Sequence, residues 1–207
     1  MSTPLVLPSG YAFGGADTER AILEVWKCDN AAYGSANISL KTLRAWFKAY
    51  QQGGFYLWYD GKIIAGIGLW PLQENVFYRV REASLSEEEL GPELLVHATT
   101  LNVVPHWYLS GVFVEPSHRR SWVLPQLLIG RFTRWAASGH GARQCRILGL
   151  ALSEGGTGVL RRLGFSRCLL DSHSLPPYEL EIEYPDGIAA ITARITRAYS
   201  SDNRKLH

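Results

Sequence analysis

Cysteine is scarce: Cys28, Cys145 and Cys168 are the only three in 207 residues, widely spaced and with no C-x-x-C among them. An odd count at such spacings argues against a disulfide framework and a structural zinc site, and fits thiols kept reduced in a cytoplasm. No apolar run reaches the ~18 residues that would cross a bilayer. Residues 1–8 hold no basic stretch ahead of an apolar one, which argues against a secretory leader. Net charge is nearly absent as well. Lys+Arg 21 against Asp+Glu 19 leaves +2, so no global field commits the chain to nucleic acid or an anionic membrane. There is no internal repeat, no low-complexity block and no Gly/Ser/Pro linker. The length therefore predicts one generous domain, large enough to bury a core without staples. Aromatics are plentiful, and seven Trp exclude disorder.

The near-neutral total conceals an uneven distribution. Residues 115–170 carry nine Arg and two Glu with no Lys or Asp, while residues 84–93 hold an acidic run. Periodicity and capping residues predict a helix over residues 17–27 and a second from Ser39, its cap, to Gln51, with Leu40, Leu43, Phe47 and Tyr50 repeating at three and four. Residues 55–59 and 62–70 read as strands joined by Asp60-Gly61, a strong two-residue hairpin signal. Further along, the pattern predicts a short helix over 86–95, a strand over 107–114, a helix over 125–137 and a strand over 146–152. A short helix over 158–163, a strand over 178–184 and a helix over 186–199 complete it. A hairpin followed by a strand–helix–strand crossover predicts an α/β fold, a mixed central β-sheet with helices on both faces. The organisation expected is a tail over 1–10, a domain over 11–184 and a C-terminal helix and tail over 185–207.

The richest stretch runs from Gly111 to Leu128. A buried strand stops at Glu115-Pro116, a short polar loop carries Arg119, Arg120 and Ser121, and a helix begins. Unpaired N–H groups at a helix start, with guanidinium groups and a hydroxyl beside them, suit an anion; a solvated basic loop capping a helix is the alternative.

This stretch resembles motif A of the GCN5-related N-acetyltransferase (GNAT) superfamily, in which a strand ending near Val-x-Pro leads into a pyrophosphate loop, Gln/Arg-x-x-Gly-x-Gly/Ala. Arg119 falls on the first loop position, and Leu127-Leu128 on the leucines of the helix that follows. Leu163-Gly164-Phe165 is similar to the family's motif B, and the order of elements fits over residues 11–184. The resemblance implies a GNAT-like single domain and an acyl-CoA-dependent N-acyltransferase, with acetyl passing from acetyl-CoA to an amine of a small molecule or protein by direct attack on the thioester. It further implies that the main chain at Val112, Phe113 and Val114 holds the pantetheine arm. The pyrophosphate falls to Arg119, Arg120, Ser121, Trp122, Val123 and Leu124. Ser153 stands where an Asn often orients a substrate.

The departures are specific. Trp122 and Leu124 replace the two loop glycines, whose missing Cβ lets N–H groups approach phosphate; the larger side chains either push the phosphate outward or block it. Leu160 stands where a tyrosine often protonates the thiolate, and Leu has no proton to give. A thiolate leaving group of pKa about 8.5 can instead take its proton from water. The amine, with a pKa near about 10.4, needs a base or a desolvating pocket. His106, Tyr108 and Ser110 alternate along the central strand and share a face, so His106 and Ser110 are the candidate catalytic groups. A hydrogen-bonded strand-edge histidine is the alternative for His106.

Other signals are weaker. Glu154-Gly-Gly-Thr-Gly158 lacks the Gly-Lys-Ser/Thr of a P-loop and reads as a flexible turn. The arginines near Phe132 and Trp135 read as the outward face of an amphipathic helix rather than a nucleic-acid surface. Trp58, Trp70 and Trp107, with Cys145 and Cys168, read as core. Two rivals to an enzyme remain: a GNAT fold serving as a non-catalytic binding module, and a tRNA- or nucleic-acid-associated protein using the arginine face. No membrane partner is expected, and a homodimer is among the oligomeric states open to the chain.

Overall fold

Thr18 and Ser39 open the architecture. In the computed structural model, which describes residues 7–34, 38–96, 104–119, 122–169 and 175–202, both accept a hydrogen bond from the backbone three residues on. They start α1 (Glu19–Tyr33) and α2 (Leu40–Ala49). Before α1 lies a short edge strand, β1 (Tyr11–Gly14), absent from the sequence-based expectation. β2 (Gly54–Tyr59) and β3 (Lys62–Pro71) form the expected hairpin, and its turn residues Asp60 and Gly61 both take positive φ, as an Asp-Gly turn requires. Next come α3 (Glu74–Arg81), β4 (Val104–Val114), α4 (Val123–Ser138), β5 (Gly141–Leu150), α5 (Glu154–Leu163), β6 (Ser166–Arg167), β7 (Pro177–Glu183) and α6 (Gly187–Asp202).

The strands make one seven-stranded sheet in the order β1-β2-β3-β4-β5-β7-β6. β4 and β5 run parallel, joined by the α4 crossover, and the other neighbours are antiparallel. This is the mixed α/β sheet expected. Trp46 of α2 packs on Trp70 and Tyr108, and Phe77 of α3 on His106, covering one face. On the other face Trp135 of α4 packs on Trp107, and α6 lies along α4 and α5 with Ile188, Ile191 and Ile195 buried. The C-terminal helix is thus part of the same core. Trp70 and Trp107, with Cys145 and Cys168, are buried as expected, whereas Trp58 is only partly so. Among the described residues no helix is long and apolar enough to cross a membrane.

Several expectations need correction. Residues 86–95 form two 3-10 turns, Glu87–Glu89 and Pro92–Leu94, rather than a helix, because Pro92 and Gly91 interrupt it. α3 was not expected: Val, Phe and Tyr favour strands, and its helicity rests on burying Val76, Phe77 and Val80. The glycine-rich residues 154–158 are the first turns of α5, not a flexible turn, since Ser153 caps them through a bond from Gly156 N–H. Nor do all the arginines face outward. Arg131 is 1% exposed, and its guanidinium donates to the carbonyls of Gln52 (3.0 Å) and Leu69 (3.1 Å). Burial pushes its pKa down to about 10, so it remains a cation at neutral pH.

Candidate active site

The site begins with a mismatch between β4 and its neighbours. Gly66 pairs with Phe113 and Gly68 with Ser110, so β4 carries one extra residue there, a bulge at which Gly111 takes φ +56°. The parallel ladder to β5 ends at Leu109–Gly149, whereas β4 continues to Val114. The two strands therefore part, and main-chain groups of β4 from Ser110 onward have no β5 partner. Tyr33 of α1 braces the opening by donating its hydroxyl to the Val112 carbonyl (2.5 Å).

Into this gap opens a cleft of about 720 Å³. One end lies between β4 and the starts of α4 and α5. Val112, Phe113, Val114, Arg119, Leu124 and Ser153 line it. Arg119 is exposed and folds back so that its Nε donates to the Val114 carbonyl (3.2 Å). Helix α4 starts with no side-chain cap. That leaves the N–H groups of its first turn and the positive end of its dipole beside Leu124, and Pro125 contributes no donor. Arg120 and Ser121 lie outside the described residues.

The two replaced glycines behave differently. Trp122 adopts an ordinary right-handed helical backbone (φ −91°, ψ −22°), so that position does not require glycine's freedom. Its ring packs edge-on against Tyr11 of β1, centroids 4.9 Å apart, and does not line the cleft. Of the two effects expected of the larger side chains, pushing a phosphate outward or blocking it, the Trp122 ring is placed for neither, because β1, the strand missing from the sequence-based expectation, draws it aside. Leu124 does enter the cleft, and Val123 turns its side chain into the core.

The other end of the cleft lies on the α1–α2 face. Ser110 is there, its Oγ accepting from Trp70 Nε1 (2.8 Å), which leaves its own proton free. Leu160 lines the wall, where it has no proton to donate. His106 does not line the cleft. It is 6% exposed beneath α3, its ring 4.8 Å from Phe77 and 5.7 Å from Tyr78, and burial lowers its pKa. The helix that the sequence pattern concealed removes it from the catalytic candidates, and the strand-edge alternative holds only in part, because Nδ1 has no partner.

Two carboxyl groups stand in its place. Glu87, from the first 3-10 turn, lines the cleft and accepts a hydrogen bond from the buried Tyr108 hydroxyl. Desolvation raises its pKa to about 7, against the opposing effect of that bond. Asp29 of α1 also lines the cleft, and burial first, then the Glu87 charge, holds its carboxyl well above the usual range. Glu87 is one of three consecutive glutamates, indistinguishable in sequence; Glu88 and Glu89 are exposed. Asp29 left a fainter signal, since Val25, Asp29 and Tyr33 step by four along the buried stripe of α1.

No family model and no curated protein matches the chain. Solved structures do. An acetyltransferase of the GNAT family from Staphylococcus aureus Mu50 is 11% identical, with a TM-score of 0.54 over 83% of this chain and 98% of that one. The Salmonella typhimurium acetyl transferase that modifies the N-terminal serine of the 50S ribosomal protein L7/L12 is 12% identical, with a TM-score of 0.53 over 85% and 97%. This chain has the GNAT fold. The loading GNATL domain of CurA from Lyngbya majuscula is similar too, at 12% identity and a TM-score of 0.52, the match covering 70% of this chain and 66% of that domain. Within the GNAT fold of this protein, the parted strands and the uncapped helix form one end of the cleft and the two carboxyls the other.

Proposed function

We propose that the chain transfers an acyl group, most simply acetyl, from acyl-CoA to an amine. The observation that carries this is a single cleft joining an anion-suited end to an end holding a carboxylate whose pKa is near about 7. The main-chain groups of β4 from Val112 to Val114 have no β5 partner. They would pair with the amides of a pantetheine arm as a strand pairs with its neighbour, the Val112 and Val114 carbonyls giving up Tyr33 and Arg119 to it. Arg119 and the first-turn N–H groups at Val123 and Leu124 would hold the pyrophosphate, with Ser153 at the opposite wall. Acyl-CoA supplies the thioester. The amine arrives as an ammonium and gives one proton to Glu87. The freed nitrogen bonds to the thioester carbonyl carbon, and the carbon–sulfur bond breaks with the electron pair leaving on sulfur as the nitrogen loses its second proton to solvent. Solvent then protonates the thiolate, so Leu160 has no part in proton transfer. The free Ser110 proton can hydrogen-bond a reacting oxygen or a water. In this reading the protein works where acyl-CoA and reduced thiols occur together, the cytoplasm.

A calorimetric titration with acetyl-CoA tests the binding half. Saturable binding is expected. Arg119→Ala should weaken it about ten- to a hundred-fold, the loss of a charge-assisted hydrogen bond. Trp122→Ala should change it by less than about threefold, because that ring rests on Tyr11. No binding at millimolar acetyl-CoA would favour a non-catalytic module, with Leu124 closing the phosphate end.

A further inference from the structure

Asp29 is 8% exposed, and its Oδ1 has no hydrogen-bond partner. It lines the cleft all the same, 3.3 Å from where a Cβ on Gly111 would stand, beside the bulge of β4. Buried polar atoms are nearly always paired, and one left unpaired in a cleft calls for a partner from outside the chain. The charge acting on Asp29 is that of Glu87, which repels it. Around the two carboxyls the walls are aromatic, with Trp46, Trp70, Tyr56 and Tyr108.

The chemistry of transfer uses one ammonium. Its nitrogen gives up one proton to Glu87, which ends neutral, and a second to solvent as the amide forms, and nothing in those transfers satisfies Asp29. A second ammonium on the same molecule would donate to Oδ1, and aromatic faces attract cations and pack against methylenes. Such walls offer few partners to the amides of a peptide. Resting on the acyl-transfer reading above, we infer that the acceptor is a small aliphatic diamine, one nitrogen presented to Glu87 and the other held at Asp29.

The probes are straight-chain α,ω-diamines from propane to octane, each beside the monoamine of equal carbon count. Calorimetry with the intact chain and no acyl-CoA reads the site alone, and thiol release from acetyl-CoA reads the transfer. At the best-fitting length the diamine should exceed its monoamine by about tenfold or more in affinity and in kcat/KM. Asp29→Asn should bring that ratio close to unity, with folding confirmed by thermal melting. If the variant does not fold, the wild-type ratio decides. Ratios near unity at every length, or a ratio untouched by Asp29→Asn, would overturn the inference. Diamine binding through Asp29 without thiol release upholds the diamine site and overturns the transferase reading. Thiol release with equal use of monoamines does the reverse.

Discussion

Glu87→Gln should lower kcat/KM for the amine by about 10²- to 10⁴-fold, the range that a positioned general base contributes. Its pH profile separates loss of a base from general damage. In the wild type the carboxylate must be ionised, so kcat/KM climbs with pH and levels off above about 7, the value at which burial holds Glu87. In Glu87→Gln only the neutral amine reacts, and the limb continues to rise toward the amine's own pKa of about 10.4. Stability moves the opposite way. A carboxyl raised from 4.5 to about 7 on folding favours the folded state below the unfolded value, and that contribution is lost as pH rises through about 7. At pH 8 the wild type therefore bears the cost of a partly desolvated carboxylate that the glutamine variant does not. Urea unfolding at pH 8 should find Glu87→Gln at least as stable as the wild type while nearly inactive. A variant with both an unchanged profile and full activity would remove Glu87 from the mechanism.

Arg131→Ala should produce a large stability loss, about 3–6 kcal/mol, from two charge-assisted bonds at about 1.5–3 kcal/mol each. The guanidinium ties α4 to the turn after α2 at Gln52 and to β3 at Leu69, next to the Trp70 that holds Ser110. At about 2–4 °C per kcal/mol for a chain of this size, the midpoint falls by about 10 °C. Arg131→Lys recovers only part, since an ammonium cannot fork to two carbonyls in this geometry. Thermal unfolding of the two variants checks this, and an alanine variant that melts within a degree or two of the wild type would mean that both carbonyls find other partners.

The elements legible in the sequence were those fixed by local chemistry. Asp60-Gly61 permits little but a tight hairpin, and Ser39 announced its helix by a hydroxyl aimed at its own backbone. What was not legible depends on tertiary contacts. α3 has strand-forming residues and is held by the sheet beneath it; β1 is four residues of edge. Those two omissions matter at the site, since α3 buries His106 and β1 turns the Trp122 ring away from the cleft. The end of the cleft beside α4 was legible because a strand–loop–helix junction is local in sequence. The carboxyl end was not. Which of Glu87, Glu88 and Glu89 faces inward is decided by a 3-10 turn set between the buried Leu85 and Leu90. Asp29 lay beyond the expected end of α1, and Arg131 sat on the buried stripe of α4, where residue type alone suggested an outward face.

Acyl transfer itself is tested most directly by thiol release from acetyl-CoA with the α,ω-diamine series, each reaction analysed by mass spectrometry for a product heavier by one acetyl group. Amine-dependent thiol release matched one-for-one by acetylated amine, saturating in both substrates and strongly reduced in Glu87→Gln, is the expected result. Thiol release no faster than without protein, across the whole series and in the presence of saturable acetyl-CoA binding, would contradict it.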